Sequence, residues 1–147
     1  MLLVIDSSVV AKWLFLETLH EQAMAVRWDW ESSTVDLIAP DLMLIEVSNI
    51  VWKKQRAGLI TESEGTSAIS DLLALEITTV EPKAILPRAY CLAQVFDRTV
   101  YDAIYLALAE EMEAKFITAD LRLYNAVNLN LGFVQYLGSY SRCNQNL

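Results

Sequence analysis

Leu2–Asp6, with the sequence LLVID, is a short apolar run closed by an acid near the start of the 147-residue chain. Four consecutive large aliphatic residues are typical of a strand buried on both faces, as in a parallel sheet. The segment Ser7–Leu16 follows at once and has the composition of a helix. The start of the chain therefore predicts an α/β protein in which a buried strand passes directly into a helix.

Short apolar runs alternate with longer segments of helical period along the rest of the chain. The further strand candidates are Asp36–Ala39, Ile77–Val80, Lys115–Thr118 and Phe133–Leu137. The further helix candidates are Leu19–Trp30, Asp41–Ala57, Thr61–Leu75, Lys83–Phe96, Thr99–Ala114 and Asp120–Leu129. Strands separated by one or two helices predict βαβ units, which build a parallel sheet covered on both faces. We therefore expect a three-layer α/β/α sandwich with a short, mainly parallel central sheet.

The composition fits one domain, because 54% of the residues are hydrophobic and can offset the entropy of the chain. We expect this domain to span residues 1–138 and the polar tail, residues 139–147, to fray. The amino terminus lacks the basic start of a signal peptide, and no run reaches the ~18 apolar residues of a membrane span. Cys91 and Cys143 are too few for a disulfide scaffold, and we expect two free thiols in a cytoplasmic protein.

The charge balance limits the classes of function. Eleven Lys and Arg against nineteen Asp and Glu give a net charge of −8. Such a surface argues against coating nucleic acid non-specifically, which depends on cations that neutralise phosphates. It allows an enzyme that acts on nucleic acid through a small cation-filled site. His20 is the single histidine, so a Ser-His-Asp hydrolase would depend on it and a zinc site would lack ligands.

Acids follow two of the strand candidates. Asp6 closes the first strand, and Asp120 lies two residues beyond Thr118. Because the carboxyl ends of parallel strands share one edge of a sheet, we expect these two acids to lie close together. Each could instead cap the helix that follows it, and Asp102 belongs to a capping-box pattern that starts at Thr99. Capping gives no reason, however, for the three acids to meet at one edge.

A fourth acid, Glu46, lies on a polar stripe of the helix candidate Asp41–Ala57. At 100° per residue, one narrow line contains Glu46, Asn49, Lys53 and Arg56, and nearly every other position is apolar. We expect this helix to be mostly buried and to present that one polar line. The line is either a solvated surface or the border of a cleft. In the second case, a carboxylate at one end and cations towards the other would suit a metal ion beside a phosphate chain.

Four carboxylates that converge without a cation would repel one another and resist desolvation. Ligation by oxygen alone favours Mg²⁺ or Mn²⁺, and the shortage of His and Cys disfavours zinc and copper. A hard divalent ion would lower the pKa of a bound water and neutralise charge on a phosphorane-like transition state. The predicted reaction is therefore metal-assisted hydrolysis of a phosphodiester.

Four stretches of the chain carry these acids in a fixed order. They are VIDSSVVAKW at Val4–Trp13, LIEVSN at Leu44–Asn49, YDAIYLALA at Tyr101–Ala109 and FITAD at Phe116–Asp120. Together the four stretches resemble the motifs of PIN-domain nucleases, especially VapC-type toxins of toxin–antitoxin pairs. The resemblance implies an acidic quartet that binds metal and carries catalysis, made of Asp6, Glu46, Asp102 and Asp120. It also implies that, among these four, Asp6 and Asp102 are the ones that ligate the metal ion directly.

The resemblance further implies supporting groups, a cofactor and partners. Ser8 and Thr118 would be hydroxyls that orient carboxylates or water. Members of the family are typically ribonucleases that depend on Mg²⁺ or Mn²⁺, are often homodimers and are neutralised by a small antitoxin. We therefore expect an RNA substrate, a VapB-like antitoxin, a homodimer and no membrane. Some relatives carry a further acid after the fourth motif. Here Leu121–Asn125 has none, which leaves open whether a second ion binds.

Cations expected near the acidic edge are the candidate contacts for RNA, although each could be an ordinary surface charge. They are Lys12, Lys53, Arg56 and Arg98. Two other functions stay open. One is a catalytically silent PIN-fold module that acts through protein contacts. The other is a phosphoryl-transfer enzyme with Asp6 as nucleophile; such haloacid-dehalogenase-type enzymes usually carry a second Asp where this chain has Ser8.

Overall fold

A computed structural model of the chain describes residues 1–143, so residues 144–147 of the expected polar tail lie outside the described residues. Five strands form one sheet in the order β3-β2-β1-β4-β5, and every neighbouring pair is parallel. The strands are β1 (Leu2–Ile5), β2 (Asp36–Pro40), β3 (Thr78–Val80), β4 (Lys115–Thr118) and β5 (Val134–Tyr136).

Helices connect these strands in the described part of the chain. They are α1 (Ser7–Leu14), α2 (His20–Glu31), α3 (Leu42–Arg56), α4 (Glu62–Ala74), α5 (Leu86–Phe96), α6 (Val100–Glu111) and α7 (Leu121–Val127). Short 3₁₀ turns at Lys83–Ile85 and Leu137–Ser139 precede α5 and follow β5. The predicted α/β/α sandwich with a parallel central sheet is confirmed.

Strand β1 lies at the centre of the sheet because its side chains are apolar on both faces. Leu3, Val4 and Ile5 are at most 1% exposed. Successive side chains of a strand point to opposite faces, so helices cover both sides of β1. Ile5 pairs with Ile117 of β4, and the carboxyl ends of these neighbouring strands therefore meet at one edge.

Local signals place most elements within a few residues of their predicted bounds. The capping box predicted for α4 is present: Thr61 Oγ1 accepts a hydrogen bond from Glu64 N, and Glu64 Oε1 accepts one from Thr61 N, both at 3.1 Å. The helix predicted over Lys83–Phe96 is divided into a 3₁₀ turn at Lys83–Ile85 and helix α5, which begins at Leu86. Pro87 lies in the first turn of α5, where the N–H that proline lacks would have no helical partner.

The prediction that the third helix is mostly buried is wrong. Met43, Val47 and Val51 are buried, whereas Ile45 is 69% and Trp52 is 50% exposed. Helix α3 packs on α1 and α4 along one side, and nothing in the described chain covers its outer side. The outer face of α3 therefore carries exposed apolar side chains beside its polar line.

The expectation that the tail frays is wrong for its first residues, because a buried acid ties them to α2. Asp29 is 0% exposed, and its Oδ2 accepts hydrogen bonds from Tyr140 Oη at 2.7 Å and from Cys143 N at 3.0 Å. Arg142 Nε approaches Oδ1 at 3.4 Å. Burial alone would raise the pKa of Asp29, but these donors outweigh it and lower the pKa. A buried carboxylate is stable only with such donors.

Two further expectations concern thiols and membranes. Cys91 and Cys143 are both free and exposed. Over residues 1–143, the structure contains no helix that combines the length and the apolar character needed to cross a membrane.

The hydrogen bond between Tyr140 and Asp29 gives a test of this anchor. We expect Tyr140→Phe to lower the free energy of unfolding by about 2 kcal/mol, because it removes a donor from a buried carboxylate. Urea unfolding followed by circular dichroism measures the change. Tyr124→Phe is the matched control, since the ring of Tyr124 packs 5.8 Å from that of Tyr136, away from Asp29. Equal stability of the Tyr140→Phe and control proteins would contradict the anchor.

Candidate metal centre

Asp6 is the buried acid around which the candidate site is built. It follows β1, its N–H donates to Ile117 O at 3.1 Å, and the residue is 7% exposed. Its Oδ2 accepts two short hydrogen bonds, from Ser8 Oγ at 2.8 Å and from Thr118 Oγ1 at 2.6 Å. Its Oδ1 has only a longer contact, 3.3 Å from Ser7 Oγ. Oδ1 is therefore the oxygen with the greater capacity for a further ligand.

Backbone groups of the loop after β4 hold the two hydroxyls that contact Asp6. Ser8 Oγ accepts a hydrogen bond from Ala119 N at 3.0 Å, and Thr118 Oγ1 accepts one from Asp120 N at 3.0 Å. A hydroxyl that accepts one hydrogen bond still has its own hydrogen to donate, and both of these donate to Asp6 Oδ2. The pairing of β1 with β4 thus fixes the orientation of the Asp6 carboxylate.

Burial is the largest influence on the pKa of Asp6, and it raises that pKa. The hydroxyls of Thr118 and Ser8 oppose this effect, and the charge of Asp120 adds to it. The net result is a raised pKa, because the desolvation cost of the charged form exceeds what the hydroxyls return. The carboxylate of Asp6 makes no capping hydrogen bond to the backbone at the start of α1, so the capping alternative is not observed for this residue.

Glu46 reaches the site from the second turn of α3. It is half-buried, and its Oε1 accepts a hydrogen bond from Tyr105 Oη on α6 at 2.6 Å. Burial raises the pKa of Glu46, and the charges of Asp6 and Asp102 raise it further against the opposing hydrogen bond from Tyr105. Glu46 is thus close enough to both aspartates for their charges to disfavour its ionisation.

Asp102 lies in the first turn of α6. Its N–H donates to Thr99 Oγ1 at 3.1 Å, so Thr99 is the capping residue and Asp102 is not. Burial raises the pKa of Asp102, as do the charges of Asp6 and Asp120, while Thr99 and the charge of Arg98 lower it. The carboxylate therefore faces the other acids from α6.

Asp120 is exposed and caps α7, which is the capping alternative for this residue. Its Oδ1 accepts hydrogen bonds from Arg122 N at 3.0 Å and from Leu123 N at 3.1 Å. Its charge nevertheless raises the pKa of Asp6 and of Asp102. Asp120 therefore combines a structural role in α7 with a place among the acids.

The four predicted acids meet at the carboxyl edge of the sheet, but they do not form a closed metal cage. Among residues 1–143, no three His, Cys, Asp or Glu side chains lie close enough together to hold an ion as they stand. The donor chemistry fits a hard divalent cation, since every candidate ligand is a carboxylate oxygen and Asp6 Oδ1 faces no strong donor. A divalent ion bound among these carboxylates would relieve their mutual repulsion.

The predicted cations lie at different distances from these acids. Arg98 is near enough to Asp102 to lower its pKa. Lys53 and Arg56 lie about 10 and 15 Å along α3 from Glu46. Both belong to the last turn of α3. Lys12 lies in the last turn of α1. Within the described chain, none of these three forms an ion pair with the four acids.

Two site residues were missed by sequence reasoning. Ser7 is 7% exposed, contacts Asp6 Oδ1, and its hydroxyl lowers the pKa of Glu46. Tyr105 is 1% exposed and donates to Glu46. Tyr105 lies three residues after Asp102 and so on the same helix face, a spacing that could have revealed it. Ser7 carries no comparable signal.

Comparisons with known proteins agree with one another. Residues 3–129 match the PIN domain family. The chain is 38% identical to Ribonuclease VapC3 of Pyrobaculum aerophilum over 128 residues. The aligned region covers 84% of this chain and 92% of that protein.

Two solved structures are similar in fold. The crystal structure of PAE2754 from Pyrobaculum aerophilum has a TM-score of 0.67 at 19% identity, covering 92% of this chain and 89% of that one. The crystal structure of FitAcB from Neisseria gonorrhoeae has a TM-score of 0.56 at 19% identity, covering 91% and 95%. At these identities, the likeness supports the fold alone.

The raised pKa values of the acids predict how stability depends on pH without metal. A carboxylate with a higher pKa in the folded state binds its proton more tightly there, so stability falls as pH rises from the unfolded pKa through the folded pKa. We expect Asp6→Asn, in EDTA, to melt at a higher temperature than the unaltered protein at pH 8, and to lose less stability as the pH rises from 4, near the unfolded pKa, to 8. Thermal melts at both pH values measure this. A lower melting temperature for Asp6→Asn at pH 8 would contradict the raised pKa.

Proposed function

Because the chain belongs to the PIN domain family, we propose that it is a metal-dependent endoribonuclease that hydrolyses RNA phosphodiester bonds, the toxin of a toxin–antitoxin pair. The family predicted from the four motifs is confirmed. The observation that carries the proposal is the meeting of Asp6, Glu46, Asp102 and Asp120 at one edge, where burial and the charges of neighbouring acids raise the pKa values of the first three. A fold without such chemistry would not need these repelling acids.

The proposed cofactor is Mg²⁺, with Mn²⁺ as an equivalent. Asp6 Oδ1 and the carboxylate of Asp102 would be its direct ligands, with Glu46 and Asp120 around them. When bound, the ion would act as a Lewis acid on the phosphate and lower the pKa of a coordinated water. Oxygen ligands on several elements suit an octahedral ion that keeps part of its water shell.

The protein's own groups would position this chemistry and handle the proton. Ser8 and Thr118 hold Asp6 in one orientation, so the carboxylate need not reorganise when substrate arrives. Glu46 and Asp102 have raised pKa values, and such carboxylates accept a proton more readily near neutral pH than ordinary ones. Because Asp102 is a proposed direct ligand of the ion, we assign to Glu46 the removal of the proton from the attacking water.

RNA phosphates would approach through the cations around the acidic edge. Arg98 is the closest, since its charge acts on Asp102. Lys53 and Arg56 extend the positive surface along α3, where the Arg56 guanidinium lies 5.9 Å from the ring of the exposed Trp52. Together with Lys12, these residues offset the net charge of −8 locally.

The proposed partners are a small VapB-like antitoxin and a second copy of the chain, in the cytoplasm where RNA is found. Support comes from the relative named Ribonuclease VapC3 and from exposed apolar side chains on two helices. Ile45 and Trp52 lie on α3, and Tyr90 and Val95 lie on α5, each at least 50% exposed. Exposed apolar side chains on the outer faces of helices are common at protein interfaces.

One observation favours a second candidate, a catalytically silent PIN-fold interaction module. The acids of the described chain are not close enough to hold an ion without rearrangement. Thermal melts during titration with Mn²⁺ separate the two functions, because binding to the native state raises the melting temperature. A rise that disappears in Asp6→Asn supports the nuclease, and no rise supports the silent module.

The nuclease is tested directly by cleavage of RNA. We expect cleavage with Mg²⁺ or Mn²⁺, none with EDTA, and a loss of about 100-fold or more in Asp6→Asn and Asp102→Asn, because removing a ligand removes transition-state stabilisation. Gel assays on a mixed RNA pool measure the rates. Asp36→Asn is the control, since Asp36 is exposed at the amino end of β2, whereas the four acids lie at the carboxyl edge of the sheet. Undiminished cleavage by folded Asp6→Asn would refute the assignment.

The toxin role is tested in cells. We expect expression of the chain to arrest growth, and co-expression of a small antitoxin gene from its own locus to restore it. The Asp6→Asn protein should cause no arrest at equal expression, because arrest requires cleavage. If Asp6→Asn arrested growth as strongly as the unaltered chain, the toxicity would not depend on the acidic site.

A further inference from the structure

Tyr105 joins two helices that carry acids of the metal centre. Its hydroxyl, on α6, donates to Glu46 Oε1, on α3, at 2.6 Å across 59 residues of sequence. Within residues 1–143, this is the one side-chain hydrogen bond between α3 and α6. A distance near 2.6 Å is typical of a hydroxyl that donates to an ionised carboxylate, which is among the stronger hydrogen bonds in proteins.

The ring of Tyr105 is fixed independently of this hydrogen bond. It is 1% exposed and stacks on Phe116 of β4, with centroids 5.5 Å apart and planes inclined by 27°. Phe116 is itself 0% exposed in the sheet. The hydroxyl therefore projects from a rigid base, and a buried phenol needs an acceptor. Glu46, at the end of the less enclosed helix α3, is the partner with freedom to move.

Tyr105 also lies three residues after Asp102, on the same face of α6. One helix therefore supplies both a metal-site carboxylate and the donor that holds a second carboxylate beside it. Asp6 is positioned from another direction, by hydroxyls that the loop after β4 holds. Among the described residues, Tyr105 is the member of α6 whose hydrogen bond fixes Glu46 relative to Asp102.

We propose that Tyr105 is a positioning residue that holds the Glu46 carboxylate in the metal centre. The inference rests on the proposed function, because it concerns the same ion. Tyr105 touches neither the ion nor the substrate in this account. Its hydroxyl occupies one acceptor site of Glu46 Oε1, and Oε2 is therefore the oxygen with the greater capacity for a further ligand. Groups that orient metal ligands in this way are commonly worth a factor of 10 to 100 in metal affinity.

The test compares two variants that each remove a phenol-to-carboxylate hydrogen bond. Tyr105→Phe removes the bond to Glu46, and Tyr140→Phe removes the bond of 2.7 Å to Asp29, away from the metal centre. The apparent Kd for Mn²⁺ is measured for each folded protein by calorimetry, and melting temperatures in EDTA are measured alongside. A merely structural role for Tyr105 would lower the melting temperature without changing the affinity.

We expect Tyr105→Phe to raise the apparent Kd for Mn²⁺ about 10-fold or more, and Tyr140→Phe to leave it unchanged. Equal Mn²⁺ affinity in Tyr105→Phe and the unaltered protein would overturn the inference and leave the nuclease standing. Absence of Mn²⁺ binding by the unaltered protein would overturn both together. The two failures are therefore distinguishable.

A double-mutant cycle tests whether Tyr105 acts through Glu46. We expect Tyr105→Phe to have no further effect on Mn²⁺ affinity in a Glu46→Gln background, because the carboxylate that it positions is gone. Additive losses would overturn the proposed route. If Tyr105→Phe does not fold, Glu46→Asp takes its place, since it keeps the acid but withdraws it from the phenol. Unchanged Mn²⁺ affinity in Glu46→Asp would likewise overturn the inference.

Discussion

A buried carboxylate at the end of a central strand is the constraint on which the site depends. Asp6 can remain buried at the end of β1 only because donors surround it, Thr118 from the neighbouring strand β4 and Ser8 from α1. β1 pairs with β4, so the loop after β4 reaches Ser8 and Thr118 and turns both hydroxyls onto one oxygen of Asp6. The other oxygen is thereby presented at the edge of the sheet. The sheet order thus determines the chemistry of the site as well as the fold.

The same edge concentrates negative charge that the fold does not neutralise by itself. Raised pKa values at Asp6, Glu46 and Asp102 mean that the folded protein resists full ionisation of the three acids. By contrast, Asp29 has a lowered pKa, because Tyr140, Cys143 and Arg142 satisfy it. One buried acid is thus satisfied by its donors, whereas the repulsion among the other three would be relieved by a bound cation. Functional sites commonly hold such unfavourable arrangements, which the rest of the fold tolerates.

The sequence was sufficient for features that follow from a repeated pattern, and insufficient for those that depend on packing. Alternating strands and helices imply parallel strands, and parallel strands bring Asp6 and Asp120 to one edge. The burial of α3 was overestimated, because an apolar helix pattern does not reveal whether a neighbour covers Ile45 and Trp52. The spacing of Tyr105 from Asp102 could have indicated Tyr105 itself, but its hydrogen bond to Glu46 depends on how α3 and α6 pack and has no local signature.

The central claim is that these acids jointly hold one divalent ion through Asp6. Anomalous diffraction from a crystal soaked in Mn²⁺ tests it most directly, because the signal locates the ion without assumptions about activity. The account predicts a peak about 2.1 Å from Asp6 Oδ1, with the carboxylate of Asp102 turned towards it. A well-diffracting soaked crystal with no peak among the four acids, or with the peak at another site, would contradict it.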